Sequence, residues 1–118
     1  MKYVCLVYLE EKQVDTLLKS EMDALMDETG AYHEALQKRG HFISAGGLQP
    51  VQTATTVRMR NGKLSIADGP FAETKEVLGG FYVIEARDLN EAIQLASKSP
   101  SLRIGSVEVR PIDELIQQ

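Results

Sequence analysis

The chain has 118 residues, 43% of them hydrophobic and 25% charged, with a net charge of -4. That is the length of one domain and an ordinary soluble composition, so collagen, coiled coil, disordered tail and membrane protein are poor readings. An acidic chain has no general attraction for phosphate backbones or anionic lipid, so neither nucleic acid nor membrane is an expected partner.

The single cysteine, Cys5, lies in the first apolar run and reads as a small buried hydrophobe. One thiol makes no intrachain disulfide, and the two histidines, His33 and His41, do not match a zinc-ligand pattern. No metal and no cofactor is expected. Glu10, Glu11 and Lys12 interrupt the opening apolar run before it could serve as a secretory core, and no run approaches the ~20 residues that cross a bilayer. The expected location is the cytoplasm.

Tyr3 to Leu9 reads as a strand that is apolar on both faces, with Tyr3, Cys5, Val7 and Leu9 on one and Val4, Leu6 and Tyr8 on the other. A helical region follows from about Asp15 to Arg39. Leu18, Met22, Leu25, Met26, Thr29, Tyr32 and Leu36 form one stripe at spacings of three and four. Ser20 to Asp23 resembles a capping box, so a short turn at 12–18 is expected before the main helix. Gly40 is a natural stop. His41 to Ala45 reads as a second strand running into Gly46-Gly47.

Asn61-Gly62 joins Thr53–Arg60 to Lys63–Asp68 as a two-residue hairpin. Its register puts Met59 opposite Leu64 and Val57 opposite Ile66 on one face. Arg58 and Ser65 pair on the other, where Arg58 and Arg60 read as solvent-facing charges. Asp68-Gly69-Pro70-Phe71 is a turn by composition, and a polar loop follows. Gly79-Gly80 opens a strand, Phe81 to Ala86. Asp88 to Glu91 is a second capping-box pattern, starting a helix with Leu89, Ala92, Ile93 and Ala96 inward and Pro100 at its end. Gly105 to Arg110 is a last strand, and the tail from Asp113 to Gln118 is read as one helical turn.

The order strand, helix, strand, hairpin, strand, helix, strand is a single ferredoxin-like α+β domain over residues 1–118. Its antiparallel sheet carries helices on one face. The strands are apolar on both sides, so the bare face needs a cover. The expected cover is a second copy, in a homodimer whose two sheets pack face to face.

MKYVCLVYLE, AGGLQP, DGPFAETKEVLGGFYVIEARDLNEA and GSVEVRPI together resemble the YCII-related (DGPF domain) family over residues 1–112. The resemblance implies a ferredoxin-like fold assembled as a dimeric α/β barrel. It also implies a small-molecule cleft that in some relatives holds a His–Asp pair, and one branch acts in dehydrochlorination of a chlorinated hydroxyquinol. An association with sigma factors is the other implication. The family's helix histidine aligns near Thr29 here, with His33 one turn later.

Two site residues are therefore expected to carry acid–base chemistry: Asp68, leading the DGPF turn, and His33, which titrates near neutrality. Tyr32, Phe71, Lys75 and Tyr82 are the candidates for touching a ligand. Each has a plainer reading: a core-edge histidine, a turn-fixing aspartate, packed aromatics and a solvated lysine. The expected activity is a cofactor-independent lyase or isomerase acting on a small molecule; the alternative is a non-catalytic ligand-binding or regulatory protein.

Overall fold

Strand β1 (Lys2–Glu10) is the second strand from one edge of a four-stranded antiparallel sheet. The computed structural model describes residues 1–114, so the helical turn expected of the tail lies almost wholly outside the described residues. On one side β1 pairs with β5 (Glu76–Glu85), and on the other with β6 (Gly105–Pro111). β2 (Phe42–Gly47) closes the far edge against β5. The resulting order is β2-β5-β1-β6. β3 (Thr55–Arg60) and β4 (Lys63–Asp68) form a separate two-stranded hairpin. Among the described residues, α-helices α1 (Glu11–Asp15), α2 (Lys19–Lys38) and α3 (Leu89–Ala96) complete the mixed α+β fold, with 3-10 turns at Val51–Thr53 and Pro100–Arg103.

The alternation read in β1 decides the core. Tyr3 and Cys5 are buried, beside Ile84 and Tyr82 of β5, and Leu36, Ala92, Leu95 and Ala96 of the helices close over them. Burial pushes the Cys5 thiol up to about 11, so it stays protonated and inert at neutral pH. On the opposite face Val4, Leu6, Tyr8, Phe81 and Val83 are only half-buried.

The hairpin forms in the register its residues dictate, with Val57 opposite Ile66, Arg58 opposite Ser65 and Met59 opposite Leu64. Asn61 and Gly62 both take positive φ, 50° and 76°, as a two-residue turn of this hand requires.

Several boundaries differ from expectation for local reasons. A short turn does precede the main helix, as expected, with α1 ending at Asp15 and α2 beginning at Lys19. The start of α2 is fixed by Glu21, whose carboxylate accepts from the Leu18 N–H at 2.9 Å, and not by Ser20 with Asp23. Met26 and Leu18, expected on the inward stripe, are exposed. α3 is capped as expected, with Asp88 Oδ1 accepting from the Glu91 N–H, while Glu91 reaches back to the Arg87 N–H. It ends at Ala96, before Pro100, and buries Ala92, Leu95 and Ala96, leaving Leu89 and Ile93 half out in solvent.

β5 begins at Glu76, five residues earlier than its apolar run, so Gly79-Gly80 sit inside the strand. Opposite them the register slips between Val7 and Tyr8, a β-bulge. A Cβ on Gly79 would come within 2.6 Å of Leu9 Cδ1, and one on Gly80 within 3.0 Å of the Gly46 carbonyl. The glycines are there because neighbouring strands approach too closely for side chains.

Candidate functional site

A cleft of about 440 Å³ opens between α2 and the sheet. Its helix wall carries Met22, Leu25, Met26, Thr29, Gly30 and His33; its floor is the paired glycines Gly46-Gly47 and Gly79-Gly80, with Tyr82 beside them. Ser99 and Ser101 line its end, with their hydroxyl oxygens 2.7 Å apart. The lining is mostly apolar and, among the described residues, contains no carboxylate. Such a pocket, with few convergent polar groups, is the usual form of a small-molecule site.

His33 is the one lining imidazole. Its ring centroid lies 5.3 Å from Phe42, 5.6 Å from Tyr82 and 5.8 Å from Tyr32. Among the described residues it makes no hydrogen bond, so both ring nitrogens are available to a bound molecule. Partial burial holds its pKa below the usual value, because the charged form loses hydration. At neutral pH the ring is therefore a neutral imidazole, able to accept a proton.

Tyr32 and Tyr82 form a layer beneath it. Tyr32 Oη donates to the Leu95 carbonyl at 2.6 Å and lies 3.3 Å from Tyr82 Oη. The rings meet edge to face at 5.8 Å. Burial raises both phenol pKa values, so both stay protonated. Tyr82 lines the cleft, whereas Tyr32 supports it from behind.

The remaining candidates lie elsewhere. Asp68 ends β4 opposite Thr55, exposed, on the hairpin face that carries Val57 and Ile66. The cleft that His33 lines does not include Asp68, so a single chain does not assemble the His–Asp pair there. The reason is topological: Asp68 belongs to the two-stranded sheet and His33 faces the four-stranded one. Phe71, 79% exposed, lines a separate groove of about 750 Å³ between the hairpin and the end of the main sheet, near Tyr8 and Leu78. Lys75 is exposed in the loop after the motif and lines neither cavity. Arg58, expected in solvent, is half-buried: its Nη2 donates to the Phe71 carbonyl at 3.0 Å and its guanidinium lies 5.0 Å from the Phe71 ring centroid.

Ser99, Ser101 and the glycine floor were not among the residues the sequence singled out for function. The visible signal was two Gly-Gly pairs, 46–47 and 79–80, which read as loop and strand-end markers; the pairing of Gly47 with Gly80 across β2 and β5 brings them together as a floor.

Among the described residues no cluster of His, Cys, Asp or Glu could hold a metal ion, and no helix is long and apolar enough to cross a membrane.

The fold matches that of 5-chloro-2-hydroxyhydroquinone dehydrochlorinase from Burkholderia phenoliruptrix AC1100, solved in complex with 2,5-dihydroxybenzoquinone. The TM-score is 0.51 at 14% identity, over 96% of this chain and 94% of that one. A protein of Rhizobium meliloti (strain 1021), described as uncharacterized, is 36% identical over 116 residues, 95% of this chain and 92% of its own length. The YCII-related domain matches residues 1–116, and the chain belongs to that family.

Proposed function

We propose that this protein works as a homodimer whose helix–sheet cleft takes a small, largely apolar molecule, and that His33 moves a proton on it without a cofactor. The observation that carries this reading is the His33 imidazole: without a hydrogen bond among the described residues, tilted against three rings and kept neutral by burial at the wall of an apolar cleft. A neutral imidazole can take a proton from a carbon or hydroxyl of the bound molecule and return it at a neighbouring atom. That is lyase or isomerase chemistry. The Thr29, Ser99 and Ser101 hydroxyls would orient polar substituents. The structural neighbour's quinone-type ligand makes hydroxylated aromatic rings the first compounds to try. A cytoplasmic setting fits the single buried thiol.

The strand order β2-β5-β1-β6 with helices on one face fits a ferredoxin-like sheet. Two observations support pairing of such sheets. Among the described residues the helices pack on the opposite face, and Val4, Leu6, Tyr8, Phe81 and Val83 stay only half-buried. The chain's radius of gyration is 16.1 Å, where a compact chain of this length would have about 13.5 Å. In the dimer, Asp68 would sit at the contact between copies, on the same hairpin face as the exposed Val57 and Ile66.

One observation favours a second reading. No carboxylate lines the cleft to orient His33 or to stabilise its charged form. A cleft so equipped could bind without catalysing, as in a ligand-sensing or regulatory protein. Titration with 2,5-dihydroxybenzoquinone and the corresponding hydroxyquinols, followed by thermal shift and by absorbance, separates the two. Turnover lost in His33→Ala with the fold intact supports the enzyme. Binding without turnover supports the sensor, and neither binding nor turnover sinks the cleft assignment for this substrate class.

A further inference from the structure

We infer that the outward face of the β3–β4 hairpin is an oxyanion-binding site, distinct from the helix–sheet cleft and fitted to the phosphate or carboxylate group of a small molecule. The hairpin places Thr56, Arg58, Arg60, Lys63, Ser65 and Ala67 on one face, opposite the apolar face of Val57, Met59, Leu64 and Ile66. Arg58, Arg60, Ser65 and Thr56 line a pocket of about 310 Å³ backed by Ala67 and Pro70. Among the described residues no carboxylate lines it.

Charge is concentrated here against the trend of the chain, whose net charge is -4. Arg60 stands directly opposite Lys63 across the strands. Like charges so placed are destabilising unless something between them is negative. Neither residue makes an ion pair among the described residues, and Arg58 makes none. Arg58 and Arg60 are two apart on one strand, so their α-carbons lie about 7 Å apart, a spacing that lets two guanidinium groups converge on one oxyanion.

Arg58 points to a ligand independently of the charge count. Its guanidinium is fixed over the Phe71 ring and by the Phe71 carbonyl, yet its Nε is buried without a hydrogen-bond partner. A buried donor left unpaired is costly, and an anion drawing on the same guanidinium offsets that cost. The Ser65 hydroxyl, cross-strand from Arg58, adds an uncharged donor. The Thr56 hydroxyl is already committed to the Gly69 carbonyl at 2.8 Å and holds the turn rather than the ligand. The pocket faces away from the apolar hairpin face, so it stays accessible when that face meets a second copy.

The test is titration of the whole protein with sodium phosphate, and separately with sodium acetate, at constant ionic strength. Amide shifts of Arg58, Arg60 and Ser65 are followed by NMR. Saturable shifts confined to the hairpin are expected. Arg60→Gln should weaken phosphate binding about tenfold while leaving the fold unchanged, because a charged hydrogen bond of this kind is worth about that factor. Arg58→Gln also releases Phe71, so Arg60→Gln and Lys63→Gln are the deciding variants. Saturation by phosphate alone assigns a phosphoryl group, and saturation by acetate assigns a carboxylate. Shifts that do not saturate, that sodium chloride reproduces, or that persist unchanged in Arg60→Gln overturn the site.

Discussion

His33 and Tyr82 meet at the wall of the helix–sheet cleft with ring centroids 5.6 Å apart and planes tilted by 51°. The contact has a consequence for titration. The rings around His33 take water from it, so its folded pKa lies below its ordinary 6.5. The unfolded chain therefore binds the proton more readily than the folded one, and stability falls as pH drops through about 6.5 toward the folded value. Above that range both states are neutral and His33 contributes no pH dependence. An NMR titration of the His33 ring should give a midpoint below 6.5, and His33→Phe should flatten that part of the stability–pH curve. A midpoint at or above 6.5 contradicts a desolvated ring.

In the proposed homodimer the apolar face of the hairpin would be the contact between copies. Val57, Met59, Leu64 and Ile66 are 60%, 67%, 61% and 65% exposed in one chain. Substituting side chains that touch little in the monomer changes folding stability by about 0.5 kcal/mol or less. Their loss should instead appear in assembly. The wild-type protein should sediment at twice the 13.1 kDa chain mass. Met59→Lys combined with Ile66→Lys should sediment as a single chain, with far-UV circular dichroism unchanged. A wild-type chain that sediments alone at micromolar concentration refutes the dimer.

Strand alternation and turn chemistry were the legible part of this fold. Cys5 and Tyr3 are buried because period-two alternation leaves an inner face no choice, and Asn61-Gly62 sets the hairpin register to the residue. Helix boundaries were less legible, because competing caps lie close together: Ser20 with Asp23 and Leu18 with Glu21 differ by two residues, and only the packed helix selects between them. The site was read least well. His33 and Tyr82 could be picked from residue type, but Asp68 could be paired with His33 only by assuming that the hairpin folds back over α2. The hairpin instead stands apart as its own two-stranded sheet. Proximity between elements far apart in sequence is a tertiary fact, and no local pattern near Asp68 carries it.

The glycines separate into two kinds. Gly30 lies inside α2, where a Cβ would meet nothing within 4 Å. Gly30→Ala should stabilise the protein by about 0.5–1 kcal/mol, the usual helix-interior difference. Gly105 opens β6, where a Cβ would collide with the Tyr8 carbonyl oxygen. That oxygen is backbone and cannot step aside, so Gly105→Ala must separate β1 from β6 and should destabilise by several kcal/mol, as backbone-incompatible changes do. Urea unfolding of the two variants should therefore give midpoints displaced in opposite directions. Displacement of Gly105→Ala to higher urea would show that the β1–β6 contact is looser than this geometry requires.

The two phenols behind the cleft, Tyr82 buried and Tyr32 half-buried, separate a structural role from a ligand role. A phenol has one proton to give. Tyr32 spends its proton on the Leu95 carbonyl in the shorter bond, 2.6 Å, which leaves Tyr82 to donate to Tyr32 Oη across 3.3 Å. Burial dominates the upward shift of both pKa values, and the bond between them raises Tyr82 while lowering Tyr32, as expected for a donor and its acceptor. Tyr32→Phe removes the shorter of two donors to the Leu95 carbonyl, which keeps the Lys98 N–H, and strands the Tyr82 hydroxyl. It should cost about 1–3 kcal/mol. Tyr82→Phe removes a long donor to Tyr32 and should cost about 1 kcal/mol or less. Combining them should give less than the sum, since the second change no longer breaks an intact bond. Urea denaturation of the four proteins tests this cycle. If Tyr82→Phe proves the more costly, the proton order is reversed, and Tyr82 rather than Tyr32 anchors the layer on which His33 rests.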